Sequence, residues 1–232
     1  MSKELSLTTK YWNELRRRLL VSIIYLSIVF IVAMLFASEL YDLVSDPLLA
    51  IFPGKPQLIA TNVTSTFLVP LKLSLMVSIL ICIPFILYQC WAFVSPALYK
   101  HEKRHIFPIV TFSCLLFYIG IAFGFKIICP LAFKFFGECT PKNVQFMADI
   151  GNFLDFIMVI CISSGLAFQI PIIINIMLRF NIVSKNSLKE FRRYFIVLAF
   201  IIGMLLTPPD VISQTLLAIP MIILFEIGIL LS

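Results

Sequence analysis

The stretch LSLMVSILICIPFILYQCWAFVSPALY, residues 73–99, contains no charged side chain. A helix needs roughly 17–25 mainly apolar residues to cross the hydrocarbon core of a bilayer, which is about 30 Å thick. This run is long enough to do so. Residues 19–37, 106–125 and 156–178 form three further charge-free runs of similar length. The sequence therefore predicts a protein that crosses the membrane several times.

Composition supports the same class of protein. Of the 232 residues, 61% are apolar and only 13% are charged, and the mean hydropathy is +1.04. Soluble domains average about 45–50% apolar and about 25% charged residues. A soluble enzyme, a DNA-binding domain and a disordered chain are therefore poor interpretations. The net charge of +6 does not indicate nucleic-acid binding, because the basic residues cluster at the ends of apolar runs.

The predicted fold class is an all-α polytopic membrane protein, folded as a single membrane domain over residues 1–232. No alternation typical of a membrane β-barrel is present. We expect six transmembrane helices, over about residues 19–37, 73–95, 106–126, 153–178, 193–207 and 211–231.

The basic residues predict the orientation of these helices. Most of the 18 Lys and Arg residues fall in the N-terminal lead, the second connection and the fourth connection. Cytoplasmic connections carry an excess of Lys and Arg. Both termini are therefore expected on the cytoplasmic side.

Prolines and long outer connections predict the shape. Pro84, Pro171 and Pro220 lie within apolar runs, where proline removes a helical hydrogen bond and kinks the helix; Pro108 fits ordinary use at a helix end equally well. We expect kinked helices to form a concave bundle. The two long outer connections, residues 39–72 and 126–155, are expected to form a cap on its outer side.

The fifth predicted helix is unusually short. Its apolar core, residues 194–206, covers only about 20 Å at 1.5 Å per residue. A short span is compensated by bilayer thinning, snorkelling side chains or a partner helix. We expect local thinning around the last two helices, unless flanking residues simply extend the span.

Polar residues at membrane depth are rare and so indicate sites. Gln169, Gln214 and Glu226 lie in the fourth and sixth predicted helices. They either bond neighbouring helices or offer a polar face to a partner or substrate.

On the cytoplasmic side, Glu14 and Glu102 lie among basic residues. Glu14 either forms an i,i+4 pair with Arg18 or captures a cationic ligand, because carboxylates bind guanidinium groups strongly.

One motif has the form of a catalytic site. His101-Glu102-Lys103-Arg104-His105 matches the zinc-protease pattern H-E-x-x-H. The surrounding basic residues would oppose a divalent cation, and no third ligand lies nearby. No Gly-rich phosphate loop occurs. We therefore expect no enzymatic activity, no metal and no cofactor.

Cys129 and Cys139 share one outer connection and are either a disulfide or two free thiols.

Three strings carry a family resemblance. They are NELRRRLL (residues 13–20), YQCWAFVSPALYKHEKR (88–104) and GMLLTPPDVISQTLLAIPMIILFEIG (203–228). They resemble the N-terminal motif, the first cytoplasmic loop and the fifth-to-sixth helix hairpin of the twin-arginine translocase subunit TatC family. The resemblance covers nearly the whole chain.

The resemblance implies a function. It implies a receptor for twin-arginine signal peptides and the core scaffold of a translocase that exports folded proteins, driven by the proton-motive force, in the bacterial cytoplasmic (inner) membrane. Its expected partners are TatB-like and TatA-like single-span subunits, the signal peptides, the lipid bilayer and further copies of itself, but no nucleic acid. The alternative from another class is a small-solute or ion secondary transporter that uses Gln169, Gln214 and Glu226.

The resemblance also assigns residues. Those expected to bind the signal peptide are Glu14, Arg16, Phe93, Pro96, Leu98 and Glu102. Those expected to dock partner helices are Met204, Leu205, Thr207 and Gln214, and Pro47 and Asp210 are the outer-side functional positions. Gln169 departs from the pattern, because the family usually has a glutamate there.

Overall fold

A computed structural model of the chain describes residues 2–49, 58–61, 64–98, 106–139, 149–179, 182–206 and 211–230. These ranges are almost entirely helical, as predicted. The helices are α1 (Ser2–Leu35), α2 (Ala37–Leu49), α3 (Ser65–Leu98), α4 (Ile106–Phe123), α5 (Cys129–Glu138), α6 (Ile150–Ala167), α7 (Ile170–Arg179), α8 (Lys185–Leu206) and α9 (Val211–Leu230), with a π-helical turn at Gly124–Ile128 between α4 and α5.

Five of the described helical segments are long and apolar enough to cross a membrane. They are Trp12–Leu35, Ser65–Phe93, Phe107–Glu138, Ile150–Leu178 and Val211–Leu230. They correspond to all of the predicted spans except the fifth. The count of six spans and the orientation of the termini stay predictions.

Helix α8 occupies the position of the fifth predicted span. It has 22 residues, but its first part carries Lys185, Lys189, Glu190, Arg192 and Arg193. Its apolar part is therefore confined to the residues that follow, in agreement with the short core expected from the sequence.

Two helices begin earlier than predicted. Helix α1 begins at Ser2 rather than near residue 19, because no proline or glycine interrupts the polar lead. Helix α3 begins at Ser65 rather than near residue 73. Lys72 ends the charge-free run on its N-terminal side, but a single lysine near a helix end can extend its charged group towards the interface.

Prolines explain two irregularities in the backbone. The fourth predicted span is divided into α6 and α7 at residues 168–169, directly before Pro171, which cannot donate to the carbonyl of Ala167. The π-helical turn precedes Pro130, whose ring would clash with the Lys126 carbonyl in a regular α-helix. By contrast, α9 continues through Pro220, and Pro108 lies in the first turn of α4.

The chain divides into two compact units. The first comprises Met1–Ser38 and Pro70–Cys114. Within it, α1 and α3 contact each other through Tyr25 and Phe85, whose ring centroids lie 4.8 Å apart. The indole N–H of Trp91 donates to the hydroxyl of Ser113 at 3.0 Å and so joins α3 to α4. This unit contains Glu14 and Phe93, two of the predicted site residues.

The second unit comprises Glu39–Val69 and Leu115–Ser232. Helix α6 is its most buried element, with Leu154, Ile157 and Ile160 almost fully enclosed. The Phe133 ring stacks on Phe153 at 5.0 Å between centroids, so α5 packs on α6.

Small residues bring two of these helices unusually close. Gly120 and Gly124 lie four residues apart, on one face of the helical segment that begins with α4, and pack against Ser164 and Gly165 of α6. A Cβ atom at Gly120 would lie 2.7 Å from the backbone oxygen of Ser164. Small residues allow such close approach between membrane helices, so only glycine fits at Gly120.

Asp149 joins the two long connections that are predicted to lie on the outer side. Its side chain caps the N-terminus of α6, with Oδ1 accepting from the N–H groups of Gly151 and Asn152. Oδ2 accepts from the N–H and the hydroxyl of Thr61, at 3.0 and 2.5 Å. The N–H of Ile150 donates to the carbonyl of Ile59. The hydrogen bonds from Thr61, followed by those from α6, lower the pKa of Asp149 from 3.8 to about 2.

We predict that Gly120→Ala destabilises the second unit by about 1–3 kcal/mol, because the added methyl group meets backbone that cannot move aside cheaply. The thermal unfolding midpoint in detergent measures the effect. Ala122→Val is the matched control, since Ala122 is exposed on the same helix. Equal midpoints for the two variants would contradict the close contact.

We also predict that stability gained from the Asp149 carboxylate is lost in acid. The pKa is lower in the folded chain than its usual value of 3.8, so the contribution is complete above that value and disappears as the pH falls towards 2. The thermal unfolding midpoints of the unaltered chain and of Asp149→Asn should therefore become more similar as the pH falls from 5 to 2. A difference that does not change over this range would refute the assignment.

Candidate functional site

The predicted acidic residue Glu14 lies on α1, one turn before Arg18. Its Oε1 atom accepts from Nη2 of Arg18 at 2.8 Å and from Nε at 3.2 Å. Both side chains are partly exposed. An i,i+4 pair of this kind contributes only about 0.3–0.5 kcal/mol. The pair that the sequence offered as the simpler interpretation of Glu14 is thus present, and it holds the carboxylate weakly.

The same guanidinium also contacts α3. Nη1 of Arg18 donates to Oε1 of Gln89 at 2.9 Å. Arg18 therefore connects an acidic residue on its own helix to an amide on the next. A hydrogen bond that involves a charged group contributes about 1.5–3 kcal/mol, so Gln89 gives Arg18 a second anchor, on the neighbouring helix.

An apolar groove runs along α1 and α3 next to this cluster. We call it the α1–α3 groove, and its volume is about 320 Å³. It is lined by Leu15, Arg18, Leu19, Ser22, Ile23 and Leu26 of α1 and by Ile86, Gln89, Cys90 and Phe93 of α3. Among the described residues that line it, Arg18 and Gln89 are the only charged or amide side chains. A carboxylate therefore lies beside a mainly apolar channel, a combination suited to a peptide with a cationic part followed by an apolar part.

The other predicted signal-peptide residues are described to different extents. Arg16 is exposed on α1, and Phe93 is half-buried in the wall of the α1–α3 groove. Pro96 and Leu98 belong to the last turns of α3, where the structure describes the backbone alone. Glu102 lies outside the described residues. The structure therefore places Phe93 in the wall of the α1–α3 groove and Glu14 beside it, bonded to the lining residue Arg18. It does not test the pairing of Glu14 with Glu102.

The predicted docking residues lie where α8 ends and α9 begins. The amide of Gln214 donates to the carbonyl of Phe200 at 2.9 Å. A Cβ atom at Gly203 would lie 3.1 Å from the backbone oxygen of Gln214, so this glycine lets the helices approach closely. Met204 and Leu205 are 60% and 74% exposed. Thr207 and the outer-side residue Asp210 lie outside the described residues, and Pro47 is exposed near the end of α2.

The remaining intramembrane polar residues are held within the second unit. Gln169 is 7% exposed at the break between α6 and α7. Oε2 of Glu226 on α9 accepts from Nη2 of Arg192 on α8 at 2.7 Å. Glu226 and Gln214 therefore both join α8 to α9. This is the helix-bonding role that the sequence offered alongside a polar path.

No metal site is formed by the His, Cys, Asp and Glu residues in the described ranges, and the predicted His101–His105 motif lies outside them. The two outer-connection cysteines are separate free thiols. Cys129 is buried, whereas Cys139 is exposed.

Sequence reasoning missed three participants in these sites. Gln89 lies in the charge-free run from which the fold was inferred and is as polar as Gln169. A polar residue inside an apolar run was therefore a sufficient signal that Gln89 bonds another helix. Arg192 was counted only as an orientation residue. Gly203 carried no signal, since its role depends on the close approach of Gln214.

We predict that reversing Glu226 to Arg lowers the free energy of unfolding by about 1 kcal/mol, because it places two cations at the α8–α9 contact. The double exchange Arg192→Glu with Glu226→Arg should recover most of that loss. Thermal unfolding in detergent measures both, with Glu190→Arg as the control at an exposed position of α8. Failure of the double exchange to recover stability would show that the ion pair contributes nothing.

Comparison with known proteins identifies the family. The family model described as Sec-independent protein translocase protein (TatC) matches residues 10–220. The chain is 48% identical over 219 residues to the Sec-independent protein translocase protein TatC of Escherichia coli strain K12, covering 94% of this chain and 85% of that protein. It is 47% identical over 219 residues to the TatC protein of Haemophilus influenzae, covering 94% and 86%.

Solved structures agree with the sequence relatives. A crystal structure of the twin arginine translocase receptor TatC matches with a TM-score of 0.87 and 37% identity, over 95% of this chain and 97% of that one. A second crystal structure of the receptor, in the detergent DDM, matches with a TM-score of 0.88 and 36% identity, over 95% and 98%. The family model, the relatives and both structures coincide over most of the chain, and the chain therefore belongs to the TatC family of Sec-independent protein translocases.

Proposed function

We propose that this chain is the signal-peptide receptor and core scaffold of a twin-arginine translocase. Membership of the TatC family makes it a component of a Sec-independent protein translocase in the bacterial inner membrane. The finer role is our proposal: it binds signal peptides with paired arginines and helps to export folded proteins by means of the proton-motive force. It acts by binding and carries out no catalytic step of its own.

One observation carries the receptor role. The partly exposed carboxylate of Glu14 lies at one end of the α1–α3 groove, which is otherwise lined mainly by apolar side chains. A twin-arginine signal peptide offers guanidinium groups followed by an apolar segment. Glu14 would accept one guanidinium, Glu102 would accept the other, and the groove would receive the apolar segment beside Phe93. Arg16, Pro96 and Leu98 would shape the entrance.

The α8–α9 hairpin supports a second part of the proposal. Exposed Met204 and Leu205 lie on the short apolar part of α8. Water or lipid alone would cover them poorly if the bilayer thins there, so a single-span partner helix of TatB or TatA type is the expected occupant. Thr207 and Gln214 would border this contact. Pro47 and Asp210 would act on the outer side.

A small-solute or ion transporter is not favoured. The family is a protein translocase, and two of the three residues of the supposed path are engaged between helices: Gln214 with the Phe200 carbonyl and Glu226 with Arg192.

We predict that Glu14→Gln weakens binding of a fluorescent twin-arginine signal peptide about tenfold or more, because a charge-assisted hydrogen bond is lost. Glu102→Lys should abolish crosslinking of the same peptide to this region. Both are measured on the full chain in lipid nanodiscs. Glu190→Lys is the control, as its carboxylate is exposed on α8. Unchanged binding and crosslinking in both variants would reject the receptor assignment.

We further predict that a photocrosslinker at Leu205 captures a single-span subunit when both are present in the membrane. A crosslinker at Phe112, which is apolar and 63% exposed on α4, provides the control for random encounter in the bilayer. Equal yields at the two positions would mean that the hairpin is not a preferred docking surface.

A further inference from the structure

The carboxylate of the candidate site already holds a guanidinium. Oε1 of Glu14 accepts from both Nε and Nη2 of Arg18. A peptide that presents arginine to Glu14 must therefore share this oxygen with Arg18 or replace it. Glu14 is therefore not an unpaired carboxylate before the ligand binds, because Arg18 is already its partner.

The geometry of the pair favours replacement. The strong bidentate arrangement of arginine and carboxylate uses two parallel bonds to two oxygens. Here both donors converge on one oxygen, and the longer contact is 3.2 Å. Both side chains are also partly exposed to solvent, which weakens their attraction further. An incoming guanidinium with access to both oxygens would bind Glu14 better than Arg18 does.

Gln89 can hold Arg18 after Arg18 has been displaced from Glu14. The third donor of Arg18, Nη1, bonds Oε1 of Gln89 at 2.9 Å independently of Glu14. Arg18 can release Glu14 and keep this bond, so its charge is not left without a hydrogen-bond partner beside an apolar groove. The amide on α3 therefore lowers the cost of the exchange.

We propose that Arg18 is the resident counter-ion of Glu14 and that ligand binding exchanges it for a guanidinium of the signal peptide. The inference rests on the proposed function of the site. A ligand with one arginine only replaces one guanidinium by another and gains little. A ligand with two arginines gains the exchange and a second contact. Arg18 is thus a resident competitor that lowers the affinity of every arginine ligand, and the second contact of a paired-arginine ligand offsets that loss.

The test measures binding of fluorescent signal peptides to the full chain in nanodiscs at about 0.15 M salt. The peptides carry two arginines or one arginine and one glutamine. Arg18→Gln should tighten binding of both peptides by a similar factor, about two- to fivefold, because each displaces the same resident guanidinium. Arg17→Gln is the matched control, because it removes the same charge from an exposed neighbour with no contact to Glu14 among the described residues.

A second variant tests the part of Gln89, while the direction of the Arg18→Gln effect separates exchange from a structural role. Gln89→Leu leaves Arg18 only Glu14 as a partner, so it should weaken binding by a similar factor. The double variant Arg18→Gln with Gln89→Leu should bind like Arg18→Gln alone. If Arg18 merely held Glu14 in place, both single variants would weaken binding, and that result would overturn the proposal. If Arg18→Gln fails to fold, judged by thermal unfolding, Gln89→Leu decides alone: unchanged or tighter binding rejects the exchange.

The Glu14→Gln variant distinguishes failure of the proposed binding site from failure of the proposed exchange. If Glu14→Gln leaves twin-arginine binding unchanged, the proposed site is wrong and no exchange at Glu14 can operate. A second outcome is that Glu14→Gln weakens binding, while Arg18→Gln tightens binding no more than Arg17→Gln does. In that case the site stands and the exchange alone is rejected.

Discussion

Inside a bilayer a polar side chain finds no water, so each one has to bond another group of the protein or reach the interface. This constraint organises the described part of the chain. Arg18 bonds Glu14 and Gln89, Glu226 bonds Arg192, and Gln214 bonds a backbone carbonyl. Each of these contacts, apart from the Arg18–Glu14 pair, joins two helices. Polar residues within the apolar helices, although few, therefore fix helix pairs within each unit.

The proposed receptor function makes use of the same constraint. A carboxylate near an apolar groove needs a counter-ion when no ligand is bound, and Arg18 supplies one from the next turn of its own helix. A counter-ion held by a weak i,i+4 pair is easily exchanged. Recognition of a cationic ligand then becomes a competition between two guanidinium groups. This explains how an acidic site can lie among three consecutive arginines and still select a basic peptide.

Hydrophobic patterning was sufficient to predict the helical membrane fold, because the length of a charge-free run depends only on the bilayer. It also predicted the short apolar part of α8. It did not predict helix ends, since Lys72 lies inside α3 and the polar lead continues α1. The close approach at Gly120 and the bond between Arg18 and Gln89 depend on which residues meet across helices, and a single sequence does not contain that information. Glu14 was singled out as an acidic residue among basic ones and Phe93 through family resemblance. That Phe93 lines a groove beside Glu14 became visible only in three dimensions.

The central claim is that the Glu14 carboxylate receives a signal-peptide guanidinium in place of Arg18. A structure of the chain bound to a twin-arginine signal peptide tests it most directly. The account predicts a peptide guanidinium at about 3 Å from the Glu14 carboxylate, the apolar segment of the peptide in the α1–α3 groove, and Arg18 bonded to Gln89 alone. A bound peptide whose arginines lie elsewhere, with the Arg18–Glu14 pair intact, would contradict it.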